Sequence, residues 1–167
     1  MIIISDTTPI ISLLKAGRLD LLEKMFGMVL IPNAVYLELT ENDSFTEEAE
    51  TVKTCPFLKV ESVSNSEALD ILQKVTGLDA GESEAIVLAG EKSADLLFMD
   101  EHKGRQVAKK LGIAITGTVG ILLQAYDEQY MNVSDVEECL MILKTSGIRI
   151  SESLYNLVRQ HIYNRQR

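Results

Sequence analysis

The sequence predicts an α/β fold, with a mostly parallel sheet and helices packed on both of its faces. Three observations predict it. Apolar runs such as "MIIIS" and "DLLFMD" are short and continuous rather than alternating, as in strands buried on both faces. Segments of helical length separate these runs along most of the chain. Helix stops and starts punctuate the joins, with glycine after helices and Thr, Asp or Asn before them.

In chain order, "MIIIS" is an isoleucine-rich strand closed by Asp6. "TPIISLLKAG" is a helix with Thr8 as its cap, Pro9 at its first position and Gly17 as its stop. "RLDLLEKMF" makes a second short helix and "GMVLIP" a second strand. "PNAVYLELT" is helical, with Asn33 as its cap and Val35 and Leu39 four apart on one face. Residues 42–54, "NDSFTEEAETVKT", are acidic and unpatterned, which suits a weak exposed helix or a loop. "FLKVESV" alternates imperfectly and suits an edge strand, and "SEALDILQKV" is a compact amphipathic helix. The middle repeats the strand–helix unit: helix "DAGESEAIVLAGEKS", strand "ADLLFMD", helix "EHKGRQVAKKLG", strand "IAIT" and helix "GTVGILLQAYDEQY". The tail is expected to add the helix "SDVEECLMILKTSG", a small strand "IRIS" and the helix "ESLYNLVRQHIYNRQR". No linker rich in Pro, Gly or Ser interrupts the chain, so residues 1–167 are expected to form a single domain with 134–167 as a helical extension packed on it.

Composition narrows the function. A hydrophobic share of 46% supports a real core, and no apolar run reaches membrane-spanning length. The start lacks a basic flank and a small-residue cleavage site, so a cytoplasmic location is expected. Cys55 and Cys139 lie far apart without a CxxC partner and are read as reduced thiols. His102 and His161 are too scattered for a zinc cluster, so a metal bound here takes oxygen ligands. The net charge of −9 argues against a nucleic-acid coat protein, but it leaves room for an enzyme that meets nucleic acid at a metal-filled site.

Parallel sheets place active groups beyond the carboxyl ends of their strands. Asp6 and Asp100 each follow a strand, and they share an edge if those strands are neighbours. Glu38 sits at the border of an apolar stripe, where it can turn toward a cleft. Glu82 and Glu84 open a helix and point about 200° apart, with Glu82 on the packed side. Each acid also has an ordinary reading: a turn or helix start for Asp6, a solvated helix face for Glu38, and capping for Asp100 and Glu84. Several carboxylates in one pocket repel one another unless a cation joins them, and Mg²⁺ or Mn²⁺ is the hard ion that oxygen donors suit. "TGTVG" lacks the spaced glycines and lysine of a nucleotide loop and reads as a tight turn that sets Thr118 near the site.

The words "SDTTPIISLLKAGRLDLL", "VLIPNAVYLEL", "LDAGESEAIVLA", "LLFMDEHKGRQVAKKLGI" and "ITGTVGILLQA" run in order to about Ala125. Together they resemble the PIN-domain family, in the branch of prokaryotic PIN-like proteins related to the toxin nucleases of type II toxin–antitoxin pairs. The resemblance implies a three-layer α/β/α sandwich with a sheet of four or five strands. It also implies a ribonuclease dependent on Mg²⁺ or Mn²⁺. The family's four acids fall on Asp6, Glu38, Glu82 and Asp100, as catalytic residues and metal ligands. Thr8 falls where a hydroxyl orients the first acid, and Glu84 is an auxiliary ligand or a neighbour of the site. Glu101 stands where the branch usually has a second aspartate, and "YDEQY" stands where relatives often carry a lysine and a glycine. Arg105 matches a basic position; it either holds a substrate phosphate, pairs with Glu101 across one turn, or is an exposed helix residue beside Lys103, Lys109 and Lys110. The implied partners are RNA, a small antitoxin protein and a second copy of the chain, with residues 65–75 and 134–146 as candidate contacts. The rival readings are a PIN scaffold that binds without cleaving, and a DNA nuclease or phosphatase using the same pocket.

Overall fold

The structure is a computed structural model, and it describes residues 1–165. Five strands form one sheet: β1 (Ile3–Ser5), β2 (Val29–Pro32), β3 (Leu58–Glu61), β4 (Leu96–Phe98) and β5 (Ile115–Thr116). Their order is β3-β2-β1-β4-β5 and every pairing is parallel. The helices are α1 (Thr7–Lys15), α2 (Asp20–Phe26), α3 (Asn33–Glu41), α4 (Thr46–Thr54), α5 (Ser66–Thr76), α6 (Ala80–Glu91), α7 (His102–Lys110), α8 (Thr118–Asp127), α9 (Val133–Thr145) and α10 (Glu152–Asn164).

Strand alternation builds the layers. Side chains along a strand point to opposite faces, so Ile3 and Ile4 enter different cores. Ile3 packs with Ile10, Leu13, Leu22, Val29 and Phe98 on one face. Ile4 packs with Ile86, Leu88, Leu97 and Ala108 on the other, against α6 and α7. The pairing of Ile4 with Leu97 and of Ser5 with Phe98 keeps β1 and β4 in a register that feeds both clusters. The result is the expected three-layer α/β/α sandwich, with the upper end of the expected strand number. Val136, Leu140, Val158 and Ile162 bring α9 and α10 into the same cluster as Ile3.

Three local expectations are corrected, and the one for residues 42–54 is refined. The first helix starts at Thr7, and Asp6 rather than Thr8 holds the N-cap position, with extended backbone and no capping side-chain bond. Pro9 is then the third helical residue, still inside the first turn, where no N–H is needed. Asn33 lies within α3, behind Pro32, and its Nδ2 donates to Ser62 Oγ instead. Residues 42–54 resolve into a 3-10 turn at Asp43–Phe45 and then α4, which buries Ala49 and Val52. "IRIS" is not a strand: Gly147, at φ +80, reverses the chain at the end of α9, and Ile148 donates its N–H back to the Leu143 carbonyl. Ile148 and Ile150 pack on the core without pairing to a strand. The last two residues of the expected tail helix lie outside the described residues. Among the described residues, no helix is long and apolar enough to cross a membrane.

Because Leu140 is fully buried in the cluster that holds β1, Leu140→Ala should lower global stability by about 2–5 kcal/mol. Chemical denaturation should show this as one cooperative transition moved as a whole, rather than separate loss of the tail helices.

Candidate acidic site

The site starts from sheet topology. β1 leads to β2 on one side, while β4 leads to β5 on the other, so the crevice beyond their carboxyl ends is a switch point of the sheet. Asp6 directly follows β1, and its N–H donates to the Phe98 carbonyl at 2.9 Å. Asp100 follows β4 by two residues, at the same edge.

Asp6 is only 5% exposed. Burial pushes its carboxyl up to about 7, helped by the charges of Asp79, Glu82 and Glu38, while the Thr7 backbone N–H offsets part of the effect. The first turn of α6 lies close by, since a β-carbon on Gly81 would sit 3.4 Å from Asp6 Oδ1. A cavity of about 390 Å³ opens here, bordered by Asp6, Thr8, Glu38, Glu82 and Glu101. Asp79 and Lys103 complete its charged lining, with Lys103 the one cation among the lining residues.

Each surrounding acid is held by its own neighbour. Glu38 Oε2 accepts from the Thr7 hydroxyl at 2.6 Å. Glu82 and Asp79 form a reciprocal capping box at the start of α6: Glu82 N–H donates to Asp79 Oδ1 at 2.8 Å, and Asp79 N–H donates to Glu82 Oε2 at 3.1 Å. Burial raises the Glu82 carboxyl, and the charges of Asp79 and Glu101 add to it. Gly77, at φ +67, ends α5 and turns the chain toward this box. Asp79 and Thr7 were missed in the sequence. The D-x-x-E spacing of "DAGE" was the available signal for Asp79, whereas Thr7 had no marker to distinguish it from Thr8.

Asp100 turns toward α8. Its Oδ1 accepts the Thr118 N–H at 2.8 Å and its Oδ2 the Thr118 hydroxyl at 2.6 Å. Burial raises this carboxyl, opposed by the two Thr118 bonds and the Arg105 charge. Gly117 is required for space, because a β-carbon there would lie 2.5 Å from Asp100 Oδ1. Asp100, Arg105 and Thr118 line a second cavity of about 680 Å³, which shares Thr8 and Glu101 with the acidic one. Arg105 donates from Nη1 to the Met99 carbonyl at 2.8 Å, and among the described residues it makes no ion pair with Glu101. Glu84 is not brought into the acidic cavity: its Oε2 accepts the Ala34 N–H at 2.8 Å and so caps α3.

The family described as DUF3368, a PIN domain, matches residues 2–164. The chain belongs to the PIN-domain family. No curated protein matches the chain. The PIN domain is a nuclease-type fold whose members act on nucleic acids.

In this PIN domain the donor set fits a hard divalent cation in kind, being all carboxylate oxygen around a buried, repelled Asp6. It is not pre-assembled: among the described residues, no group of three or more His, Cys, Asp or Glu side chains is set to hold an ion. Glu38, Glu82 and Asp100 each turn a carboxylate oxygen toward a neighbour, and Asp100 lines the adjoining cavity.

Two outcomes follow from this geometry. With a chelator present, folded Asp6 binds its proton more tightly than the unfolded chain between pH 3.8 and about 7. Stability should therefore fall as pH rises through that window, by on the order of a few kcal/mol, and Asp6→Asn should flatten the profile in thermal melts. Gly117→Ala should displace Asp100 from Thr118, destabilising the PIN domain by about 1–3 kcal/mol, as denaturation would measure.

Proposed function

We propose that this PIN domain hydrolyses RNA phosphodiesters at the acidic cavity with a bound Mg²⁺ or Mn²⁺. One observation carries the reading: Asp6 is buried at the switch point of the sheet, with the charges of Asp79, Glu82 and Glu38 acting on it. Such repulsion is costly in a protein that never binds a cation there. Asp6, Glu38 and Glu82 would hold the ion in that cavity, and Asp100, which lines the adjoining one, would join them by giving up a Thr118 bond; the ion would supply charge neutralisation and Lewis acidity toward the phosphate. The chain's own residues supply position. Thr7 orients Glu38, Asp79 orients Glu82, and Thr118 fixes both oxygens of Asp100. Arg105, anchored on the Met99 carbonyl, offers the rest of its guanidinium to a substrate phosphate. Pairing with a small antitoxin, and homodimerisation, belong to the same reading and are supported by the resemblance to toxin nucleases alone.

A second reading, a PIN scaffold that binds without cleaving, is favoured by the local hydrogen bonds that occupy the acids. Cleavage of single-stranded RNA during a Mn²⁺ titration separates the two. Asp6→Asn and Asp100→Asn should each lower cleavage by about 10³-fold or more, and Mn²⁺ should raise the melting temperature of the unaltered chain but not of Asp6→Asn. Full activity in both variants would end the nuclease reading. Parallel trials with DNA and a small phosphate ester decide the substrate class.

A further inference from the structure

We infer that Lys103 is the acidic cavity's own counter-ion and sets how tightly that cavity takes a divalent cation. The inference deepens the proposed function, because it rests on the reading of this cavity as a cation site. Five carboxylates line the cavity, from Asp6, Glu38, Asp79, Glu82 and Glu101, and Lys103 is the one cation among the lining residues. Its charge reaches them: burial raises the Glu82 carboxyl, Asp79 and Glu101 add to this, and Lys103 opposes it. Yet among the described residues Lys103 closes no ion pair with any of these acids. The ammonium acts through space, on an exposed side chain that can swing, rather than through a fixed bond.

The helix that carries Lys103 does not explain its placement. Lys103 is the second residue of α7, where the helix dipole disfavours a cation. The side chain reaches instead to the end of α5: a β-carbon on Gly77 would sit 3.5 Å from Lys103 Nζ. The carbonyl end of a helix favours a cation, so this position holds the ammonium at the cavity rim without burying it. From there it offsets part of the repulsion among the acids when no other cation is present. A divalent cation entering the cavity meets the same acids and is repelled by the ammonium. The two cations are antagonists, and the lysine keeps the cavity's hold on the metal weak.

The test is Mn²⁺ binding to the full chain at low ionic strength, read from the electron paramagnetic resonance of free Mn²⁺. Lys103→Met should tighten binding about 3- to 10-fold, the order expected for removing one charge at the rim. Lys103→Arg keeps the charge and should match the unaltered chain, with circular dichroism confirming the fold of each variant. Lys110→Met removes the same charge at the other end of α7, about 10 Å away, and should change affinity by less than about 2-fold. Equal or weaker Mn²⁺ affinity in Lys103→Met, or a matching gain in Lys110→Met, would overturn the inference. Tighter binding in Lys103→Met, with no RNA cleavage by any of these chains, supports the inference and sinks the nuclease reading. Cleavage with a Mn²⁺ affinity that ignores Lys103 does the reverse. Mn²⁺ bound by none of them overturns both.

Discussion

Everything at the site depends on the parallel pairing of β1 with β4. Those two strands are central in the sheet, and the Asp6 N–H continues their ladder by one further bond to Phe98. Because the strands run the same way, the chain leaves both at the same edge, carrying Asp6 and Asp100 with it. Neighbouring helices then complete the lining: α3 brings Glu38, α6 brings Glu82, and the start of α8 receives Asp100. An antiparallel pairing of β4 would send Asp100 to the far end of the sheet, whatever the side chains preferred.

Local hydrogen bonds moderate the electrostatic tension among these acids without removing it. A threonine hydroxyl and helix-start N–H groups stabilise the charged forms of Glu82 and Asp100, yet burial still raises both. Asp6 has the least help and is raised furthest of the residues at the site, which makes it the point where added positive charge would matter most. The same helix-start chemistry explains Glu84, an acid next to the site that instead satisfies the orphan N–H of Ala34.

The fold was legible because its signals are local. Continuous apolar runs marked β1, β2 and β4, and glycines marked helix ends, as at Gly17 and Gly112. Asp6 and Asp100 could be placed because each follows a strand. Glu84 could not, because its partner Ala34 lies fifty residues away and only the packing of α3 on α6 brings them together. "IRIS" alternates like a strand, but whether it pairs depends on a free sheet edge, which sequence does not reveal.

Ile3 and Ile4 feed opposite layers, and β1 spans only three residues. Loss or gain of a single codon within that stretch would exchange the two isoleucines between layers and invert the direction of Asp6. A frame of this kind tolerates conservative replacement of either isoleucine far better than any change in their count, so the spacing of the opening residues is under tighter physical constraint than their identities.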